Sequence, residues 1–314
     1  MPNWARIMAT VSNAMPVRLR YGLFLPLIVD EAWSGITRWS AMRDLASTAE
    51  AIGIDTLLLP DHLIYRLPEL PNMRGSWEAM SMAAALAAVT TKVELGHLVL
   101  STSWRNPALV AKMADTIDEI SGGRFTLGLG AGWHEPEFTA YGFPFEHRFA
   151  RFEEAVQIIH GLLHHGHVDF DGTYYNARDC ELHPRGPRPD GLPILIGTNG
   201  PRMLQLLARY GDAWNSDWLN TAERAAPYVA QAVAAFEAAG RDPASIVKSV
   251  SVQIDLPGAP SRAPAGGPPI VGSPEGIAAA LREYTHLGID QLQIWLNPST
   301  PEALERLAEV LALV

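Results

Sequence analysis

SGGRFTLGLGAGWHEPEFTAYGFPF, residues 121–145, sets three glycines at alternate positions, Gly128, Gly130 and Gly132, against the end of a short apolar run. The spacing suggests a nucleotide-binding loop, but the dinucleotide fingerprint G-x-G-x-x-G would need glycine where Trp133 stands. The surroundings decide how it reads. RFTLGLG is one of eight β-rich apolar runs, each followed by a longer stretch of helical period and punctuated by Gly, Pro, Asn or Asp. The runs are VRLRYGLFLP, DTLLLP, KVELGHLVL, RFTLGLG, PILIG, DAWN, VKSVSVQID and DQLQIWL; the helical stretches lie near residues 38–53, 75–90, 107–120, 147–165, 200–210, 221–240, 274–287 and 301–312. Asn106-Pro107 and Ser273-Pro274-Glu275 each place a capping side chain before a proline at a first helical position. Gly53 and Gly288 follow helices, where a left-handed residue ends a helix cheaply.

Alternating strand and helix predicts parallel strands, and eight such units in 314 residues predict an α/β fold of the closed (β/α)8 TIM-barrel type rather than an open doubly wound sheet. Active residues should then follow strands, at the carboxyl face. Residues 1–17 are expected to form a tail and 18–314 a single barrel domain. Insertions near 166–192 and 257–272, longer than the usual connections of α/β units, would be lids or floppy excursions.

Composition bounds the chemistry. A net charge of −10 argues against a phosphate-backbone binder, so nucleic acid is not an expected partner. Charged residues interrupt every apolar run before it could span a bilayer, and the first residues lack a secretory signal's apolar centre, so a soluble chain without membrane contact is expected. The single cysteine, Cys180, permits no internal disulfide and fits a reducing cytoplasm; it reads as a loop residue rather than a nucleophile.

Several strand ends carry candidate chemistry. LLLPDHLIY brings Asp61 and His62 to the rim, where a histidine can shuttle a proton and the aspartate can orient it; the plainer alternative is a rim histidine bonded to a loop carbonyl. Gly128 and Gly130 either admit a flat ring system close to the main chain or simply fit a crowded barrel interior. LGHLVLSTSWRNP suits a pocket wall. GTNGPR, with Gly197, Thr198, Asn199 and Gly200 opening a helix and Arg202 adding charge, reads as a phosphate site or as an ordinary capped turn. The cluster His160, His164, His165 and His167 leads away from the rim and is not expected to be a metal centre. Asp61, His62, His97 and His134 form the ligand set that a barrel hydrolase would need, but strand one lacks that class's paired histidines.

Taken together, PDHL at 60–63, LGHLVLSTSWRNPALVAK at 95–112, residues 121–145, the RFARFEEAVQII helix and PILIGTNGPRMLQLLARYGDAWN at 193–215 resemble the bacterial luciferase-like monooxygenase superfamily, in particular its F420-dependent oxidoreductase branch. The resemblance runs from about residue 18 to the end. It implies a barrel that binds coenzyme F420, or alternatively FMN, at the carboxyl face. The ring would lean on a strand-three bulge at Leu98-Val99, often a non-proline cis peptide in this family. Gly130, Ala131, Gly132 and Trp133 would border the ring, and Gly197–Gly200 would take the phosphate.

His62 matches the histidine held near the reactive ring carbon, and Glu137 matches a family glutamate of catalytic or structural role. The chain departs from some deazaflavin-dependent sugar-phosphate dehydrogenases, which place a glutamate where Trp133 stands. The activity implied is hydride transfer between F420 and a small organic substrate. The alternatives are an FMN-dependent monooxygenase using reduced flavin and O2, and a non-catalytic flavin-binding barrel. Substrate choice would fall to loops 30–37, 64–76 and 166–192, with Trp33, Tyr65 and Trp77. Luciferase-like barrels commonly pair, and helices two and three are Ala-rich, so a homodimer is expected.

Overall fold

The computed structural model describes residues 18–30, 38–67, 73–259 and 266–314. The expected tail at 1–17, the stretch 31–37 with Trp33, and residues 68–72 and 260–265 of two expected loops lie outside the described residues. In chain order the strands are β1 (Arg20–Phe24), β2 (Ile28–Asp30), β3 (Thr56–Leu59), β4 (Met73–Ser76), β5 (Glu94–His97), β6 (Leu100–Ser101), β7 (Phe125–Gly130), β8 (His167–Asp171), β9 (Asn176–Glu181), β10 (Ile194–Gly197), β11 (Ala213–Ser216), β12 (Val247–Asp255) and β13 (Gln291–Asn297). The helices are α1 (Trp39–Ala51), α2 (Ala79–Val89), α3 (Pro107–Ser121), α4 (Glu135–Tyr141), α5 (Arg148–His160), α6 (Pro201–Tyr210), α7 (Ala222–Ala238), α8 (Pro274–Arg282) and α9 (Pro301–Leu311).

Parallel pairing runs β1-β3-β5-β7-β10-β11-β12-β13 and returns to β1, which closes the barrel. All eight expected strands are present, and the caps work as the residues suggested. Asn106 accepts hydrogen bonds from the Ala108 and Leu109 N–H groups, and Ser273 accepts from Gly276 N. Gly53 and Gly288 take left-handed φ values of 85° and 66°. Period-two alternation sorts each strand's side chains to two sides. In β12, Val250, Val252 and Ile254 join the aliphatic shell beneath the helices, while Ser249, Ser251 and Gln253 are buried polar groups on the alternate positions. A second, smaller apolar cluster forms around Phe24, Leu58, Leu98, Leu195 and Ala213.

Two features depart from the sequence reading. Residues 135–141, expected as loop, form α4, a helix too short for a periodic signal that ends at Gly142 with φ 74°. The excursion at 166–192 is not a floppy stretch, because it contains the antiparallel hairpin β8–β9. Glu154 of α5 pins its turn by accepting from the Thr173, Tyr174 and Tyr175 N–H groups at 2.8, 2.8 and 2.9 Å. The chain that follows is tied to α3, where Asp115 accepts from Gly186 N at 2.8 Å. Charge-assisted bonds to main-chain donors are among the stronger ones available, so a single buried-side carboxylate can order a whole turn.

Candidate active site

The third barrel strand is interrupted. β5 meets β7 at Leu95–Phe125 and Gly96–Thr126, whereas β6 meets it at Leu100–Leu129 and Ser101–Gly130, so one extra residue is taken up between them. The Leu98–Val99 peptide at this bulge is cis, at the position the family resemblance implied. The bulge occupies the space that the glycines leave. A Cβ on Gly128 would strike the His97 carbonyl oxygen; one on Gly130 would lie 2.6 Å from Val99 Cγ2, and one on Gly197 2.9 Å from Val99 Cγ1. The immediate reason for bare main chain is therefore the neighbouring strand rather than a ring. Val99 is seated between Gly130 and Gly197. Gly132, with φ 77°, packs against Ser101 Oγ and the Phe138 ring, while Ala131 beside it is half-buried.

On one side of the mouth, β3 ends in Pro60-Asp61-His62 and β7 runs through Trp133 into α4. Glu137 of α4 is fully buried, and its Oε1 lies 2.7 Å from His62 Nδ1. Its Oε2 accepts from the Leu63 and Ile64 N–H groups at 2.5 and 3.2 Å. Two main-chain donors already use the carboxyl group, so His62 Nδ1–H is the third donor, which leaves Nε2 as the nitrogen that can take up or release a proton. His134 reinforces the arrangement. Its Nε2 accepts from Arg66 N at 3.1 Å, and burial pushes its imidazole below the ordinary histidine range. Tyr65 stands edge-on to His62 at 4.7 Å and stacks on His134 at 5.4 Å; burial and the nearby Glu137 push its phenol up to about 12. Trp133, exposed, stands edge-on to His62 at 5.8 Å.

Asp61 does not orient His62, contrary to expectation. Its carboxylate, fully buried, receives Arg105 Nη1 and Nη2 at 2.8 and 3.0 Å and Ser101 N at 2.9 Å. Arg105 also reaches Glu78 at 2.6 Å, so one guanidinium links the ends of β3, α2 and the strand-three turn. Burial alone would raise the Glu78 carboxyl, but hydrogen bonds from Ser81 and the Arg105 charge outweigh it and hold it at about 2. The orienting carboxylate is Glu137. The sequence offered no way to rank the two, since adjacency in the chain favours Asp61 and only the fold brings α4 back to β3.

His97, at the end of β5 beside this network, is buried against the edge of Phe125, and burial pushes its imidazole down to about 4. In the unfolded chain it protonates near 6.5, so the unfolded state binds its proton first as the pH falls. Stability that is complete above pH 6.5 should therefore be lost toward pH 4, at on the order of 1 kcal/mol per pH unit. Urea titrations at pH 7, 6 and 5 measure this slope, and His97→Asn should flatten it.

The opposite side of the mouth is built by β10 to β13. Thr198 N donates to Asn215 O, Gly200 N donates to Thr198 Oγ1, and Trp214 Nε1 donates to Thr198 O, which together shape the GTNG turn into α6. No side chain caps this helix start, and the half-buried Asn199 leaves its side-chain oxygen without a partner. Arg202, expected to add charge here, instead lays its guanidinium over Phe149 at 3.8 Å. Sequence reasoning passed over Trp218 and Trp295. Their rings lie 4.9 Å apart, and Trp218 stacks on Phe24 at 5.7 Å.

Among the described residues no group of three or more His, Cys, Asp or Glu side chains is placed to hold a metal ion. The His160 and His164 rings lie 4.4 Å apart, tilted by 37°, and His164 Nδ1 lies 2.6 Å from the Asp190 carbonyl oxygen. The hydrolase-like set is dispersed among Arg105, Glu137 and the Arg66 main chain.

Residues 19–256 match the sequence profile described as luciferase-like monooxygenase. The chain belongs to that family. Pyrimidine monooxygenase RutA of Klebsiella pneumoniae is 35% identical over 178 residues, which are 54% of this chain and 48% of the relative. The chain thus spans about half the length of these curated relatives. Among solved structures, an F420-dependent secondary alcohol dehydrogenase with an F420-acetone adduct shares the fold with a TM-score of 0.77 at 17% identity, covering 94% of this chain and 98% of the other. An EDTA monooxygenase from Chelativorans sp. BNC1 shares it with a TM-score of 0.79 at 16% identity, covering 94% and 93%. An F420-dependent dehydrogenase and a monooxygenase thus share this barrel fold.

Proposed function

We propose that the chain is an oxidoreductase that holds coenzyme F420 across the barrel mouth and exchanges a hydride with a small organic substrate, with His62 handling the proton. The observation that carries this reading is the His62–Glu137 pair, a histidine fixed through Nδ1 at a strand's carboxyl end with its second nitrogen available. The mouth fits such a group in two respects. Val99 and Leu98 offer an apolar floor, and the uncapped start of α6 offers main-chain donors to an anionic tail. When bound, the deazaflavin supplies the hydride chemistry. The protein's own part is to hold His62 by Glu137, to border the ring with Gly130, Ala131, Gly132 and Trp133, and to exclude water with Tyr65 and the Trp218 cluster. Asp61 and Arg105 position the chain that carries His62.

A second reading, an FMN-dependent monooxygenase, is favoured by the 35% identity to a pyrimidine monooxygenase. Titrating the protein with F420 and FMN side by side separates them: F420 should bind at least about tenfold more tightly. Tighter FMN binding would transfer the assignment to the monooxygenase. With the preferred cofactor, His62→Ala should lower turnover about 10²- to 10⁴-fold at unchanged cofactor affinity. Unchanged turnover would leave a flavin-binding barrel without His62 catalysis.

The same reading places 18–314 in one domain acting in the cytoplasm; no helix among the described residues is long and apolar enough to cross a membrane. Exposed Val89 of α2 and Leu109 and Ile120 of α3 make these two helices the surface on which a second copy would pair.

A further inference from the structure

Trp218, two residues beyond Ser216, adopts a left-handed φ of 58°. A bulky residue rarely takes that conformation without being held in it. Its ring is half-buried, stacked on Phe24 with an interplanar angle of 22°, and tilted against Trp295. Both tryptophans border the small apolar cluster that contains Leu58, Leu98 and, packed against it, Val99. None of the side chains in that cluster is charged.

The holding comes from the excursion after β12. Gly266 and Gly267, with φ 68° and 116°, arch over this turn. A Cβ on Gly266 would collide with the Trp218 carbonyl oxygen and Cβ, and one on Gly267 would collide with the Arg224 guanidinium. Asn220 fastens the arch by donating from Nδ2 to the Gly267 carbonyl at 3.1 Å. Beyond the arch, Ile270 N donates to Gln253 O at 2.8 Å and Asp255 N to Ile270 O at 3.0 Å, so the returning chain is stitched to β12. This part of the excursion acts on Trp218 as a clamp.

We propose that Trp218 is a specificity-determining residue of the mouth, that with Trp295 it admits a flat, uncharged, largely apolar substrate, and that Gly266 and Gly267 are positioning residues that hold it in place. The proposal rests on the reading of the mouth as a cofactor site. A charged group set against these rings and aliphatic side chains would lose hydration without meeting an opposite charge among them, whereas a neutral ring gains area and stacking.

The test uses the F420-loaded protein and calorimetric titration with benzyl alcohol and cyclohexanone as neutral probes, benzoate and benzylammonium as charged ones. The neutral probes should bind at least about tenfold more tightly. Trp218→Leu should weaken them roughly tenfold while changing benzoate less than about twofold, and Trp218→Phe should retain most of the affinity. Gly266→Ala should reproduce the Trp218→Leu pattern with F420 affinity unchanged. If Gly266→Ala does not fold, the two Trp218 variants decide. Benzoate binding as tightly as benzyl alcohol, or neutral-probe affinities unmoved in Trp218→Leu, would overturn the proposal. Failure of the cofactor reading shows separately: F420 and FMN would both fail to bind in titrations without any probe, and the probe series would then be run on the protein alone.

Discussion

Glu137→Gln is expected to lower turnover about 10²- to 10⁴-fold without weakening cofactor binding. The carboxyl group has three donors around it, His62 Nδ1 and the Leu63 and Ile64 N–H groups. A glutamine must turn its NH2 toward one side. Facing the main chain, it sets donor against donor. Facing His62, it donates to Nδ1 and moves the ring proton to Nε2, so the nitrogen meant to accept a proton already carries one. The structural loss should be smaller, about 1–3 kcal/mol, as for a buried hydrogen-bonded group left with a mismatched partner. Steady-state kinetics beside a denaturant melt distinguish the two: turnover should fall far more than the stability loss alone would explain. A variant with normal turnover and only lower stability would make Glu137 a loop fastener and remove it from the chemistry.

Arg105→Met is expected to be the most damaging to stability, at about 3–5 kcal/mol. The substitution leaves Asp61, whose side chain is 0% exposed, and the partly buried Glu78 facing each other without the cation between them. Arg105→Lys should rescue little, because the guanidinium bridges both carboxylates through two nitrogens and an ammonium offers one point of charge. The pH dependence has a definite sign. The folded Glu78 carboxyl is held at about 2, below its ordinary 4.5, so its contribution is complete above pH 4.5 and is lost as the pH falls through 2. The gap in unfolding free energy between wild type and Arg105→Met should therefore narrow below about pH 4.5. A gap that stayed constant through that range would show that the loss comes from packing rather than from the charge network.

The barrel was legible because each of its parts announces itself over a few consecutive residues. Asn106-Pro107 and Ser273-Pro274 mark helix starts, Gly53 and Gly288 mark helix ends, and runs such as TLLL and ILIG can satisfy burial on both faces only in a covered parallel sheet. The His62 position was legible too, since a histidine just past a barrel strand falls at the carboxyl rim. Which carboxylate serves it was not. Asp61 is its neighbour in sequence, yet a residue adjacent on an extended chain points its side chain elsewhere, and here it points to Arg105.

Glu137 reaches His62 across 75 positions because α4 folds back over the end of β3. The glycines of β7 present the same contrast. Their spacing showed that something must come close, and local pattern alone could not tell a ligand from the His97–Val99 bulge, which differs from a regular strand by a one-residue slip in pairing. Trp218 and its glycine clamp were invisible for a related reason. Left-handed backbone at a tryptophan and an arch 48 positions later are consequences of contact, and contact between distant segments is what a chain acquires only on folding. Sequence by itself determined the periodicities, the caps and hence the (β/α)8 barrel, because these depend on interactions within one or two turns. Tertiary structure alone decided the partners of His62, Asp61 and Trp218, because hydrogen bonds and packing depend on positions in space that no local propensity encodes.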